Sequence, residues 1–229
     1  MYHKFTTILC IYCGDYFDVP VYCGDRFCPI CSYVRQSRIR NRLNFLVKSV
    51  DRRVGYCFKH LTLTIKNQTN LFSMTRTILK SFRKLRATRS WKNHVAGGAF
   101  VVEVTGNSDN WHVHLHVIIQ SKYYAFAEIL KLWSNLSPGR GVYIQNIPKN
   151  QIVGYLTKYL SKTSTLDADR SELNKALKGI RLFHAFGSWF ALNKKYKPPK
   201  PKCKKCDNAC FCLYAEAFEG NEFIFEKQV

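Results

Sequence analysis

Alternation of apolar and polar residues predicts four strands. Residues 58–65 alternate in this way and are rich in β-branched side chains, which is typical of a strand with one buried face. Residues 99–105 and 111–119 show the same signal, and the turn residues at 106–110 would join them into a hairpin. Residues 142–147 predict a further strand.

Apolar residues at helical spacing predict helices between these strands. The segments are about 32–50, 73–87, 126–136 and 150–161. Ser73 is the expected cap of the second helix. A polar stretch at 163–178 is predicted to be helical in its second half, and Gly97 and Gly98 are predicted to break the chain.

This order of elements predicts an α+β fold, with a mostly antiparallel sheet and helices on its faces. The chain has 229 residues, of which 46% are hydrophobic, and this composition excludes wholesale disorder. We expect a Cys-rich segment at 1–32 and a central domain at 33–192. Residues 193–229 would form a basic Lys/Pro linker and a second Cys-rich element.

The charge of the chain indicates a polyanionic partner. It has 36 Lys and Arg against 15 Asp and Glu, a formal net charge of +21, so its field attracts nucleic acid or, alternatively, an anionic membrane surface. We expect no membrane association, because no apolar run approaches the ~20 residues of a span. We also expect an intracellular, cytoplasmic protein, because the first twelve residues lack the pattern of a secretory signal.

The predicted helix at 32–50 carries a run of arginines. We expect these side chains to contact DNA phosphates, although a charge run can also be a merely solvated face. The residues are Arg35, Arg38, Arg40 and Arg42.

Three histidines alternate along the second hairpin strand. His112, His114 and His116 share one face of that strand, a pattern that indicates a metal site. Glu103 is the single charge in the preceding strand, and the hairpin would place it beside the histidines. Its alternative role is a salt bridge to a basic side chain. Two imidazoles and a carboxylate suit Mn²⁺ or Mg²⁺, with Zn²⁺ or Co²⁺ also possible.

The predicted helix at 150–161 combines phenols with ammonium groups. Tyr155 and Tyr159 are four residues apart and therefore share a face, and Lys158 and Lys162 share a neighbouring face. The alternative is an ordinary amphipathic helix with solvated lysines. A phenol is a weak nucleophile at neutral pH, but nearby lysines and a metal ion would favour the phenolate. Such a phenolate can attack a metal-polarised phosphodiester.

Nine of the ten cysteines lie in two short clusters near the chain ends, which in a reducing compartment indicates zinc rather than disulfides. The alternative is free buried thiols. We expect one zinc site from Cys10, Cys13, Cys28 and Cys31, with Cys23 as a possible replacement ligand. A second structural zinc site is expected from Cys203, Cys206, Cys210 and Cys212.

Three of these motifs, in this order, resemble those of the HUH endonuclease superfamily, which comprises rolling-circle replication initiators and related transposases. They are Leu-Thr-Leu-Thr at 61–64, His-Val-His-Leu-His at 112–116, and Tyr-Leu-Thr-Lys-Tyr at 155–159 with Lys162. The resemblance covers about residues 55–190. The N-terminal cysteines resemble a zinc-binding segment that precedes this domain in some plasmid initiators and in one group of insertion-sequence transposases.

The resemblance implies roles for individual residues. The last two histidines of the triplet and one further polar residue would hold the metal, which maps to His114, His116 and Glu103. Some family members have one tyrosine, with a glutamate four residues earlier. Because Tyr155 occupies that earlier position here, the chain is similar to the two-tyrosine class.

These inferences predict a metal-dependent single-strand DNA endonuclease and strand transferase that initiates rolling-circle replication through a 5′-phosphotyrosine intermediate. Its expected partners are single-stranded origin DNA, a host helicase and a polymerase. A helicase is expected from the host because the sequence has no ATP-binding phosphate loop. Three alternatives stay open: a transposase of the same superfamily, a non-catalytic zinc-containing nucleic-acid-binding protein, and a metal-dependent nuclease that uses activated water.

Overall fold

The computed structural model describes residues 5–21, 23, 25, 27–51, 53–139, 141–162, 170–199, 202–208 and 212–215. Two compact units are present. One is Ser32–Tyr196, and the other comprises the described residues of Met1–Cys31 and Lys197–Val229. The two Cys-rich ends of the chain therefore belong to a single unit, whereas the sequence had suggested two separate elements.

The elements alternate along the chain. The strands are β1 (Phe5–Cys10), β2 (Tyr16–Pro20), β3 (Cys57–Thr64), β4 (Val95–Asn107), β5 (Asn110–Ser121), β6 (Gly141–Asn146), β7 (Phe183–Gly187) and β8 (Cys212–Ala215). The helices are α1 (Pro29–Ser49), α2 (Leu71–Ala87), α3 (Arg89–His94), α4 (Phe126–Leu136), α5 (Ile152–Lys162), α6 (Arg170–Leu177) and α7 (Ser188–Lys195). A single 3₁₀ turn at Lys149–Gln151 leads into α5. None of the helices within the described ranges is both long and apolar enough to cross a membrane.

The larger unit is built on a five-stranded sheet with strand order β6-β3-β5-β4-β7. All four neighbouring pairs are antiparallel, which confirms the predicted α+β class. The alternation pattern located β3, β6 and the hairpin of β4 and β5. The sequence analysis did not predict β7, α3 or α7.

Two local predictions were wrong. Gly97 and Gly98 do not break the chain but lie inside β4. Glycine is required at position 98, because a Cβ there would collide with the carbonyl of Ile118 on the neighbouring strand. The helix α2 begins earlier than expected, since the Asn70 side chain caps it by accepting a hydrogen bond from the Ser73 N–H.

Helices cover both faces of the sheet. On one face, the Phe82 ring of α2 packs 5.2 Å from the Phe100 ring of β4. On the opposite face, residues of α1, α5 and α7 form a buried cluster with Ala99, Val101 and Ile118 of the sheet. Because the histidines of β5 lie on this second face, α5 brings its side chains against them.

The smaller unit contains a second, three-stranded sheet with order β2-β1-β8. The central strand β1 pairs antiparallel with both neighbours. It thus joins backbone from near the start of the chain to backbone from the described segment 212–215.

Candidate active site

The register of the sheet brings the predicted histidines to one face. In β5, His114 pairs with Glu103 of β4, and His116 pairs with Thr62 of β3. The intervening residues Val113 and Leu115 are fully buried on the other face. The side chains on the histidine face are therefore direct neighbours across three adjacent strands.

Glu103 is a buried carboxylate with a polar contact on this face. Its side chain lies 2.7 Å, Oε2 to Nε2, from His116, and both residues are about 5% exposed. A buried carboxylate requires such a partner to offset its loss of hydration. This contact is with an imidazole of the proposed metal set.

A fourth histidine, His60 of β3, belongs to the site and was missed from the sequence. It is 1% exposed, and its Nε2 lies 3.4 Å from His116 Nδ1 and 3.2 Å from Thr62 Oγ1. Burial lowers the pKa of His60 to about 3, with further effects from His116 and Lys158, so the imidazole is neutral. Its Nδ1 has no hydrogen-bond partner among the described residues.

The helix α5 places two phenols over these imidazoles. The Tyr159 ring stacks on His116 with centroids 3.4 Å apart, and the Tyr155 ring lies 4.2 Å from that of His60. Tyr159 is 7% exposed, while Tyr155 is half-buried. One phenol therefore lies against a predicted metal ligand, and the other remains more accessible.

Electrostatics favour the neutral form of Tyr159. Burial raises its pKa, and a hydrogen bond with Tyr155 and the charge of Glu103 raise it further. A cation bound at Glu103 would offset this effect and favour the phenolate.

One of the two predicted lysines can be placed. Lys158 is exposed, and its Nζ lies 5.5 Å from the Tyr155 ring centroid and 5.4 Å from that of Tyr159. The side chain of Lys162 lies outside the described residues. Among the described side chains, Lys158 thus places an ammonium group beside both phenols.

The donor chemistry on this face fits a divalent cation. His114, His116 and Glu103 supply two imidazoles and a carboxylate from paired strands, a set that suits Mn²⁺ or Mg²⁺. Their ligand atoms do not form a group of three within 4.8 Å of one another, a condition that only thiols meet among the described residues. His112 is turned to another neighbour, since its Nε2 lies 2.9 Å from Asn67 Nδ2.

The cysteines form two groups that differ from the predicted ones. Cys10 and Cys13 cluster with Cys203 and Cys206, and a second group contains Cys23, Cys28 and Cys31. The predicted joint site of Cys10, Cys13, Cys28 and Cys31 is thus corrected, because tertiary contacts pair the first two with the distant C-terminal segment. Cys210 and the side chain of Cys212 lie outside the described residues. These clusters can hold a metal such as zinc.

The arginines of α1 lie mostly on its exposed side. Arg38, Arg40 and Arg42 are exposed and Arg35 is half-buried, while Leu43 of the same helix is fully buried. The Arg42 guanidinium lies 5.3 Å from the Tyr196 ring centroid. The helix thus has an apolar side in the core and a cationic side in solvent.

Comparison with known proteins identifies related sequences. A family model described as "Replication protein" matches residues 17–135. The chain is 30% identical over 123 residues to "Protein rep" of a Bacillus species, covering 49% of this chain and 40% of that protein. "Protein rep" of Bacillus amyloliquefaciens is 29% identical over 123 residues, covering 49% and 36%. "Protein rep" of Lactiplantibacillus plantarum is 29% identical over 127 residues, covering 49% and 40%.

These matches cover only part of this chain and part of each relative. The chain spans about two fifths of the length of the curated relatives that it matches. The range matched by the family model contains His60, Glu103 and the histidines of β5, and it ends before Tyr155. No solved structure matches the chain.

Proposed function

Because the chain belongs to the Replication protein family, we propose that it initiates plasmid or viral DNA replication by nicking and rejoining single-stranded origin DNA. The observation that carries this proposal is the packing of Tyr155 and Tyr159 directly against His60 and His116. A nucleophile and a metal-ligand set on one face are the two parts that tyrosine-mediated cleavage needs.

The proposed reaction exchanges one phosphodiester for another. When bound by His114, His116 and Glu103, Mn²⁺ or Mg²⁺ would polarise the scissile phosphate and withdraw charge from it. The phenolate oxygen attacks phosphorus, the bond to the 3′ oxygen breaks, and that oxygen takes up a proton. The products are a 5′-phosphotyrosine and a free 3′ hydroxyl, which a host polymerase could extend behind a host helicase.

The two tyrosines would act in sequence. We assign the first attack to Tyr159, because its ring stacks on that of the proposed metal ligand His116 with centroids 3.4 Å apart. Tyr155 is the more accessible phenol, and it would receive the second strand once Tyr159 is occupied. Lys158 lies beside both rings, where its charge would stabilise a phenolate and the charge of the pentavalent transition state.

Recognition of the DNA would depend mainly on charge. The exposed arginines Arg38, Arg40 and Arg42 of α1, together with Arg35, are our candidates for phosphate contacts. Such contacts position the strand but do not read bases, so substituting one arginine with alanine should weaken binding to all sequences and reduce its salt dependence.

The decisive experiment looks for a covalent adduct. The protein is incubated with labelled single strands from its own replicon and Mn²⁺, and the products are separated under denaturing conditions. We expect a protein–DNA adduct with the unmodified chain. The double variant Tyr155→Phe with Tyr159→Phe should form none, although both rings and their packing are retained.

The single variants test the order of attack. Tyr159→Phe should reduce the first cleavage by about 100-fold or more, whereas Tyr155→Phe should keep the first cleavage and lose strand transfer. Cys57→Ser, an exposed cysteine outside both thiol clusters, is the control and should behave as the unmodified protein. Cleavage without an adduct would replace the proposal with a nuclease that uses activated water. The absence of both cleavage and adduct would favour a non-catalytic binding protein.

A further inference from the structure

Two segments 190 residues apart fold into the same short loop. Each has two cysteines separated by two residues, followed by a residue with positive φ: Gly14 at 68° after Cys13, and Asp207 at 55° after Cys206. Asp207 is the one non-glycine residue with positive φ in the described part of the chain. Since this conformation is costly for most side chains, its repetition in both segments indicates a shared structural requirement.

The backbone hydrogen bonds of the two loops also correspond. In the first loop, the N–H of Gly14 donates to the Cys10 carbonyl at 2.8 Å, and the N–H of Cys10 donates to the Asp15 carbonyl at 2.9 Å. In the second loop, Asp207 donates to the Cys203 carbonyl at 3.0 Å, and Cys203 donates to the Asn208 carbonyl at 3.0 Å. The loops are therefore equivalent position by position.

The four sulfurs have the spacing of a tetrahedral site. Cys10 Sγ lies 3.7 Å from Cys206 Sγ, and Cys13 Sγ lies 3.6 Å from Cys203 Sγ. Four sulfurs placed tetrahedrally at the Zn–S distance of about 2.3 Å would be about 3.8 Å apart. Cys10 and Cys203 are almost fully buried, which is typical of a closed structural site.

We propose that Cys10, Cys13, Cys203 and Cys206 bind a single structural zinc ion, which two equivalent loops from distant parts of the chain hold between them. Both loops are required, since each supplies only two of the four thiolates. The ion would fasten the N-terminal segment to the C-terminal segment and close a loop of about 190 residues. Loss of either pair of cysteines would remove this link and leave the pairing of β1 with β8 to hold the two segments together.

Zinc content in single and double variants tests whether the loops share one ion. Purified full-length protein is analysed for zinc by mass spectrometry after expression in zinc-sufficient medium. We expect Cys10→Ser and Cys203→Ser each to lose about one zinc per chain. The double variant should lose no more than either single variant, because all three changes remove the same ion. Cys57→Ser is the matched control and should lose none.

An additive result would overturn the proposal, because a loss of two zinc ions in the double variant requires separate N-terminal and C-terminal sites. Unmodified protein that contains no zinc would also overturn it.

A measurement on the unmodified chain tests the same proposal if the variants do not fold. Zinc is withdrawn with increasing chelator, and newly reactive thiols are alkylated and located by peptide mass spectrometry. Cys10, Cys13, Cys203 and Cys206 should become reactive in one step. Exposure of the first pair while the second pair stays protected would contradict a shared ion.

Discussion

The thiol cluster that joins the two chain ends and the histidine face of the larger sheet arrange their metal-binding side chains differently. The sulfurs of Cys10, Cys13, Cys203 and Cys206 all lie within 4.8 Å of one another, and their loops are fixed by matching backbone hydrogen bonds. On the histidine face, no three ligand atoms converge to this extent within the described ranges. Glu103 is instead in contact with His116.

The difference is consistent with the structural zinc site and the catalytic cation site that we propose. A structural site is closed, because protein atoms fill every coordination position. A catalytic site must leave positions open for substrate, so the protein supplies fewer of its ligands. In the proposed catalytic site, Glu103, His114 and His116 would share the cation.

Brief exposure to EDTA should separate the two sites most clearly. We expect DNA nicking to be lost and then fully restored by Mn²⁺, because an open site exchanges its ion easily. Zinc in the thiol cluster should be retained over the same interval, because a closed tetrathiolate site releases its ion slowly. Nicking activity and zinc content are measured on the same samples, and parallel loss of both would contradict the contrast.

His116→Ala should have the next largest effect. Loss of a ligand that helps to polarise the phosphate is expected to cost several kcal/mol of transition-state stabilisation, or about 10³-fold in the rate of nicking. Zinc content should not change. The rate is measured by single-turnover cleavage, with thermal unfolding as a check on the fold. Cleavage at the unmodified rate would remove His116 from the site.

His112→Ala should be much milder. Its Nε2 is engaged with Asn67 and not with Glu103, so we expect less than about a tenfold loss of activity. The same single-turnover measurement applies, with His114→Ala as the matched comparison. Equal losses in the two variants would show that all three histidines bind the metal.

Gly14→Ala should give the smallest effect and should act on the thiol cluster alone. Its φ is 68°, and a Cβ there would meet no atom within 4 Å, so the cost of about 1 kcal/mol arises from the backbone conformation. Thermal unfolding should show this loss while nicking stays unchanged. Asp207→Gly, at the equivalent position, should not destabilise the protein, and a loss there as large as that of Gly14→Ala would argue against the equivalence of the loops.

The histidine face could largely be predicted from the sequence because its information is local. Alternation in β5 places the three histidines together, and a tight hairpin places Glu103 beside them. The family match confirms the resemblance to rolling-circle replication proteins of the HUH superfamily that these motifs indicate. The tyrosine helix was located by its spacing, although the catalytic roles of these residues remain predictions.

His60 and the cysteine partners could not be found in the same way. His60 directly precedes the buried Leu61 in β3, so its side chain lies on the opposite, polar face of the strand. However, its position beside His116 depends on how β3 pairs with β5. The pairing of Cys13 with Cys203 depends on a contact across 190 residues. Proximity along the chain instead favoured Cys28 and Cys31, which lie near a different thiol, Cys23.

The distance between the two cysteine loops also has a consequence during synthesis on the ribosome. At 5–20 residues per second, roughly 10–40 s separate the emergence of Cys13 from that of Cys203. The intervening sheet and helices can fold in this time, while Cys10 and Cys13 still lack their proposed partners Cys203 and Cys206. A chain interrupted before Cys203 would therefore hold its sheet without the zinc ion that we propose for these four cysteines, so that retention of this ion distinguishes chains that include Cys206 from shorter ones.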